Sequence, residues 1–96
     1  MENENIKINW ILDELRSVAI IDDKIIGECE IEEYNGAWAI VHTGVREEFG
    51  GRGIAKQLVL KVVEAARKSN KKILPICSYA KKMLEDKDEY KDVLVK

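Results

Sequence analysis

Several things are scarce in this chain. Its 96 residues hold one proline, Pro75, and two cysteines, Cys29 and Cys77. Two cysteines this far apart make no disulfide framework and show no metal-ligand spacing. Long hydrophobic runs are also missing: the apolar stretches are a few residues each, far short of the roughly 20 that a membrane-spanning helix needs. No basic stripe is present and the formal net charge is −2, so nucleic acid is not the electrostatically obvious partner. The opening Met1-Glu2-Asn3-Glu4-Asn5 is acidic and polar, unlike a secretory signal. Without one, the thiols are expected to be reduced and the protein cytoplasmic. No repeat, low-complexity tract or linker divides the chain.

What remains is ordinarily globular, with 46% hydrophobic and 35% charged residues. The length suits one small domain over residues 1–96, with a core near the lower limit for folding unaided.

The organising stretch runs from Val45 to Asn70. Gly50, Gly51 and Gly53 mark a turn between a strand and a helix, where missing side chains leave backbone N–H groups open. Behind them Ile54, Ala55, Leu58, Val59, Val62, Val63 and Ala66 recur at helical spacing, with Lys56, Gln57, Lys61, Glu64, Arg67 and Lys68 on the other face. A helix start with unpaired N–H groups, a positive dipole end and Arg52 nearby suits a phosphate or pyrophosphate. It is not a Walker loop, because Ile54-Ala55-Lys56 follows the last glycine where Lys-Ser/Thr belongs. Nor does it fit a dinucleotide fingerprint, where a small residue belongs at the position of Lys56. A plain strand–turn–helix connection is the competing reading.

Taken in order, Ile6 to Ile8 reads as a short strand after a loose end at residues 1–5. Trp10, Ile11 and Leu12 add apolar mass without a readable period. Arg16 to Ile21 is a strand, Asp22-Asp23-Lys24 a turn, and Ile25 to Tyr34 a longer strand. Its alternation puts Gly27, Cys29 and Ile31 on one face and Glu28, Glu30 and Glu32 on the other. Asn35-Gly36 is a type I′ hairpin signal, and Ala37 to Val45 leads into the glycine loop. After the helix and the polar stop Ser69-Asn70-Lys71, Lys72 to Cys77 reads as a strand. Pro75 donates nothing to a ladder, so this strand belongs at an edge or unpaired there. Tyr79 to Glu85 suggests a second helix capped by Ser78, and Glu89 to Leu94 a last helical turn. The fold class is α+β: an antiparallel meander, a helix, a further strand and a C-terminal helix.

Gly50-Gly51-Arg52-Gly53-Ile54-Ala55 followed by Leu58 resembles the acyl-CoA pyrophosphate loop of the GNAT N-acetyltransferase superfamily, Arg/Gln-x-x-Gly-x-Gly/Ala. With His42-Thr43-Gly44-Val45, Pro75-x-Cys77-x-Tyr79 and Glu89-Tyr90, the chain resembles the small single-domain GNAT-like proteins of the YjdJ type over about Gly36 to Tyr90. One position departs: Gly50 stands where the family has Arg or Gln. The resemblance implies a strand splayed from its near-parallel neighbour with the pantetheine arm between them. It also implies acetyl-CoA contacts at Val45, Arg46, Gly50, Gly51, Arg52, Gly53, Ile54, Ala55 and Cys77, with transfer of the acetyl group to a primary amine of a protein or small molecule.

Three residues are candidates for chemistry. Cys77, just before a predicted helix start, is placed to act as a thiolate nucleophile or as a contact to the acyl group; a small buried hydrophobe is the alternative. His42, the single histidine, falls by parity on the face of Trp38 and Ile40 and could take a proton from an ammonium or from Cys77; a packed or rim residue is the alternative. Tyr79 is a candidate proton donor to the departing thiolate, or a ring packed on the sheet. Arg46, Arg52 and Lys56 could offset pyrophosphate charge, with solvated surface as the alternative, above which Arg52 alone stands out. Glu28, Glu30 and Glu32 read as a solvated face, Cys29 as core and Tyr90 as packing. Two other classes stay open: a CoA-binding module without efficient catalysis, and an interaction domain that binds no CoA.

Overall fold

The computed structural model describes residues 5–95. Of the expected loose end, all but Asn5 lies outside the described residues. Strands β1 (Lys7–Ile11), β2 (Arg16–Ile21), β3 (Lys24–Tyr34) and β4 (Ala37–Val45) form an antiparallel meander. Helix α1 (Ile54–Lys68) then crosses to β5 (Ile73–Pro75), which pairs parallel with β4 at the end of a β1-β2-β3-β4-β5 sheet. Helix α2 (Ser78–Leu84) follows.

The β3–β4 hairpin turns at Asn35 and Gly36, with φ of 51° and 81°. β1 runs further than the local pattern suggests. Trp10 and Ile11 pair with Ser17 and Arg16, and the Trp10 ring stacks on Trp38 with centroids 5.0 Å apart. A tertiary contact, not a period, extends that strand. β5 is shorter than Lys72 to Cys77, for a reason that bears on the site.

The C-terminal segment also differs from expectation. Asp88–Tyr90 forms a single 3-10 turn, and Leu94 then bridges in parallel to Ile73. Ile73 donates to Val93 O and accepts from Val95 N, so this segment lies along β5. Arg67 of α1 fastens it, binding both Asp92 carboxylate oxygens (2.9 and 3.0 Å) and the Glu89 carbonyl (2.7 Å).

α1 buries Ile54, Leu58, Val59, Val62, Val63 and Ala66 against one face of the sheet. Each of the larger side chains contributes about 1.5–3 kcal/mol. On that face β3 presents Gly27, Cys29 and Ile31; a Cβ on Gly27 would stand 3.2 Å from Leu58 Cδ1. The buried Ser17 hydroxyl donates to the Leu58 carbonyl at 2.8 Å and ties β2 to the helix. Cys29 is fully buried and Tyr90 nearly so, both as packing residues. Among the described residues no helix is long and apolar enough to cross a membrane, and no group of three or more His, Cys, Asp or Glu could hold a metal ion.

Candidate active site

The site begins where β5 leaves β4. Pairing runs through Trp38–Ile73, Ala39–Leu74 and Ile40–Pro75. Then Ile76 N–H (3.0 Å) and Cys77 N–H (2.9 Å) both donate to the Ile40 carbonyl. One carbonyl takes two successive donors, so the ladder ends there. Pro75 sits at the last paired position, where a residue without an N–H costs least. From Val41 to Val45, β4 pairs with β3 alone.

A bulge lies at the same place. The β3–β4 register steps from Ile31–Ile40 to Glu30–His42, leaving Val41 without an opposite residue. One extra residue exchanges the two faces. Trp38 and Ile40 point to α1, but beyond the bulge it is Thr43, opposite Cys29, that does so. His42, opposite Glu30, faces the glutamate side and is exposed. The parity placement of His42 beside Trp38 and Ile40 is therefore corrected. Its Nε2 lies over Gly44, 2.9 Å from where a Cβ would stand, in a shallow groove with Arg16, Glu28 and Arg46.

The glycine loop caps the open half of β4. Arg46 N–H donates to Ile26 O, Glu47–Phe49 makes a 3-10 turn, and Gly50 N–H closes it on Glu47 O at 3.0 Å. Gly51 and Gly53 then adopt φ of 77° and 76°. A Cβ on either would meet nothing within 4 Å, so these glycines serve backbone conformation and leave open space outside it. The first intrahelical bond runs from Gln57 N–H to Gly53 O, so the N–H groups of Ile54, Ala55 and Lys56 lie ahead of the ladder. The Ile54 side chain is core, leaving only its backbone to the site. The Arg52 guanidinium lies over the Phe49 ring, 5.3 Å from its centroid, and Arg46 pairs with Glu48 at 3.2 Å. Open N–H groups, a positive helix end and unfilled space fit a pyrophosphate. Gly50 fits least, its N–H being spent within the loop.

Cys77 caps α2, in place of the expected Ser78: its sulfur accepts from Ala80 N–H at 3.3 Å. Thr43 Oγ1 lies 3.5 Å from Cys77 Sγ and 3.5 Å from Cys29 Sγ. Burial pushes the Cys29 thiol up to about 11, so it stays protonated at neutral pH. Tyr79, two residues on, is partly exposed, and burial pushes its phenol above the ordinary range.

Of the sequence-derived candidates, the structure thus brings Cys77 to the end of the β4–β5 pairing. It sets Gly51, Arg52, Gly53, Ile54 and Ala55 at the start of α1, with Val45 and Arg46 leading in. Tyr79 lies in the first turn of α2. His42 is not brought to Cys77; Thr43 takes the place beside that sulfur. Thr43 carries no site signal in the sequence, since a threonine within a strand is ordinary and only the bulge turns it inward.

A split parallel strand pair beside a glycine-rich helix start is shared with a known class of proteins. The GCN5-related N-acetyl-transferase family profile matches residues 16–93. A GCN5-like candidate N-acetyltransferase from Staphylococcus aureus, known from its solution structure, is 38% identical. Its match covers 99% of this chain and 91% of that one, with a TM-score of 0.69. A GCN5-related N-acetyltransferase from Sphaerobacter thermophilus is 34% identical over 58% of this chain and 18% of its own, with a TM-score of 0.54. A GNAT family acetyltransferase from Elizabethkingia anophelis, solved with acetyl-CoA bound, shares the fold at 22% identity. That match covers 67% of this chain and 46% of that one, with a TM-score of 0.57. No curated protein matches. The chain belongs to the GCN5-related N-acetyltransferase family.

Proposed function

We propose that the protein binds acetyl-CoA and transfers its acetyl group to a primary amine of a protein or small molecule in the cytoplasm. The observation that carries this is the joining of two features at one end of β4. The N–H groups of Ile54, Ala55 and Lys56, ahead of the helical ladder, sit beside a strand edge, Val41 to Val45, that β5 has left free. The first suits a pyrophosphate, and the second a chain of amides such as pantetheine. Arg46, Arg52 and Lys56 supply positive charge.

Bound there, acetyl-CoA supplies an acetyl group activated as a thioester. The chain's own residues supply the rest. Cys77, where the strands part, contacts the acyl end. Tyr79, a phenol that is protonated at neutral pH, holds a proton for the departing thiolate. His42, on the glutamate face, accepts a proton from an amine arriving on that side. A large acceptor brings its own binding surface, which suits so small a domain. One observation favours the CoA-binding module as a second reading: at Gly50 the loop has no side chain and a spent N–H.

A thermal-shift titration with acetyl-CoA, free CoA and ATP tests the proposal. At about 100 times Kd a ligand stabilises by about 2.7 kcal/mol, a rise of about 10 °C for a domain of this size. Both CoA forms should shift the melt, ATP should not, and Gly53→Trp should abolish the effect. Acetylation of a primary amine by the same sample then separates the enzyme from the module. No shift at saturating CoA would overturn the reading.

A further inference from the structure

We infer that Thr43 is the positioning residue for the Cys77 thiol, its hydroxyl turning between two sulfurs so that Cys77 is held with or without its proton. Three distances carry this: Thr43 Oγ1 to Cys29 Sγ (3.5 Å), Thr43 Oγ1 to Cys77 Sγ (3.5 Å), and Ala80 N to Cys77 Sγ (3.3 Å).

A hydroxyl has one hydrogen to give and lone pairs to receive. Toward Cys29 the geometry makes Thr43 the donor, whereas toward Cys77 either atom can donate. With Thr43's hydrogen on Cys29, Cys77 must be the donor of its own bond. The chain then runs from Ala80 N–H to Cys77, from Cys77 S–H to Thr43, and from Thr43 O–H to Cys29.

When Cys77 loses its proton, that order fails at one link. A thiolate donates nothing, and a half-turn of the Thr43 hydroxyl restores the link by pointing its hydrogen at Cys77. The sulfur anion then receives two donors, Thr43 O–H and Ala80 N–H. Cys29 keeps its own S–H, which becomes free to turn toward Thr43. No atom need move except hydrogens.

The two thiols also differ in burial. Cys29 is sealed in the core, while Cys77 is only half-buried. The groups facing Cys77 across the sheet are Thr43 of β4 and Cys29 of β3. His42, Glu28 and Glu30 stand on the far face, and Tyr79 belongs to its own helix. β4 lies between the two thiols, with Thr43 in the gap, so they are linked through its oxygen rather than by a disulfide. The bulge at Val41 makes this possible, since without it Thr43 would point away from α1.

The inference concerns the thiol alone, although its use in acetyl transfer rests on the function proposed above. Its test therefore contains no CoA. The rate of Cys77 alkylation by iodoacetamide is followed by intact mass at one near-neutral pH, with Cys77→Ala identifying the reacting site. Thr43→Val keeps the shape and removes the hydroxyl, and should slow alkylation about tenfold, the worth of one hydrogen bond to a charged group. Thr43→Ser returns the hydroxyl without the methyl and should restore the rate to within about twofold of the unaltered protein. If the valine variant does not fold, Thr43→Ala asks the same question. Alkylation at the unaltered rate in the variants lacking the hydroxyl would overturn the inference. So would a serine variant as slow as valine, which would make Thr43 a packing residue only.

Discussion

The two halves of β4 contrast sharply. Ala37 to Ile40 is buried throughout and, from Trp38 on, pairs with a strand on each side. Val41 to Val45 pairs on one side only, is nowhere fully buried, and holds His42, Thr43 and Gly44. One bulged residue and one doubly used carbonyl separate them. The difference teaches where a small domain can place a site. The first half fixes the position of the second, which is left with an unpaired edge and polar side chains because the core does not depend on it.

That division can be broken from the core side first. Trp38→Ala removes a buried ring stacked on Trp10 and should destabilise the fold by about 3–5 kcal/mol. Urea denaturation measures this, and a loss under 1 kcal/mol would deny the first half its structural role. Next comes the buried layer beneath the open half. The folded-state Cys29 thiol, at about 11, lies above its ordinary 9.0. Its contribution is therefore whole below pH 9 and is lost as pH rises through 11. Stability should fall by about 2–3 kcal/mol over that window, and Cys29→Ala should flatten the decline.

A smaller effect is expected at the loop. Gly53→Val forces a β-branched residue to φ 76° and should cost about 1–2 kcal/mol, while abolishing stabilisation by acetyl-CoA. Retained stabilisation would move the pyrophosphate elsewhere. The smallest concerns the C-terminal clasp. Arg67 lowers the Asp92 carboxyl below its ordinary range, so their bond is present above that range and lost as pH falls through the lowered value. Melting temperatures below pH 4 should accordingly fall slightly more for the unaltered protein than for Arg67→Ala.

Much of this was legible in the residues. β2 and β4 take the bounds that alternation and turn signals assign, because strand period and hairpin chemistry are local. The α1 stripe and the glycine loop were legible for the same reason. The bulge was not, since Ile40-Val41-His42-Thr43 reads as an unbroken strand, and with it went the orientation of His42 and the role of Thr43. β1's extension depends on Trp38, distant in sequence. Cys77 was readable as a residue before a helix, but Ser78 is the commoner capping type, and only the folded distance shows the sulfur taking that bond.

The most direct measurement is an amide chemical-shift map of the protein titrated with CoA. Shifts should gather at Gly51 to Ala55 and Val41 to Val45, with Ala37 to Ile40 nearly still. Shifts centred on the first half of β4, or none at saturating CoA, would contradict the proposed site.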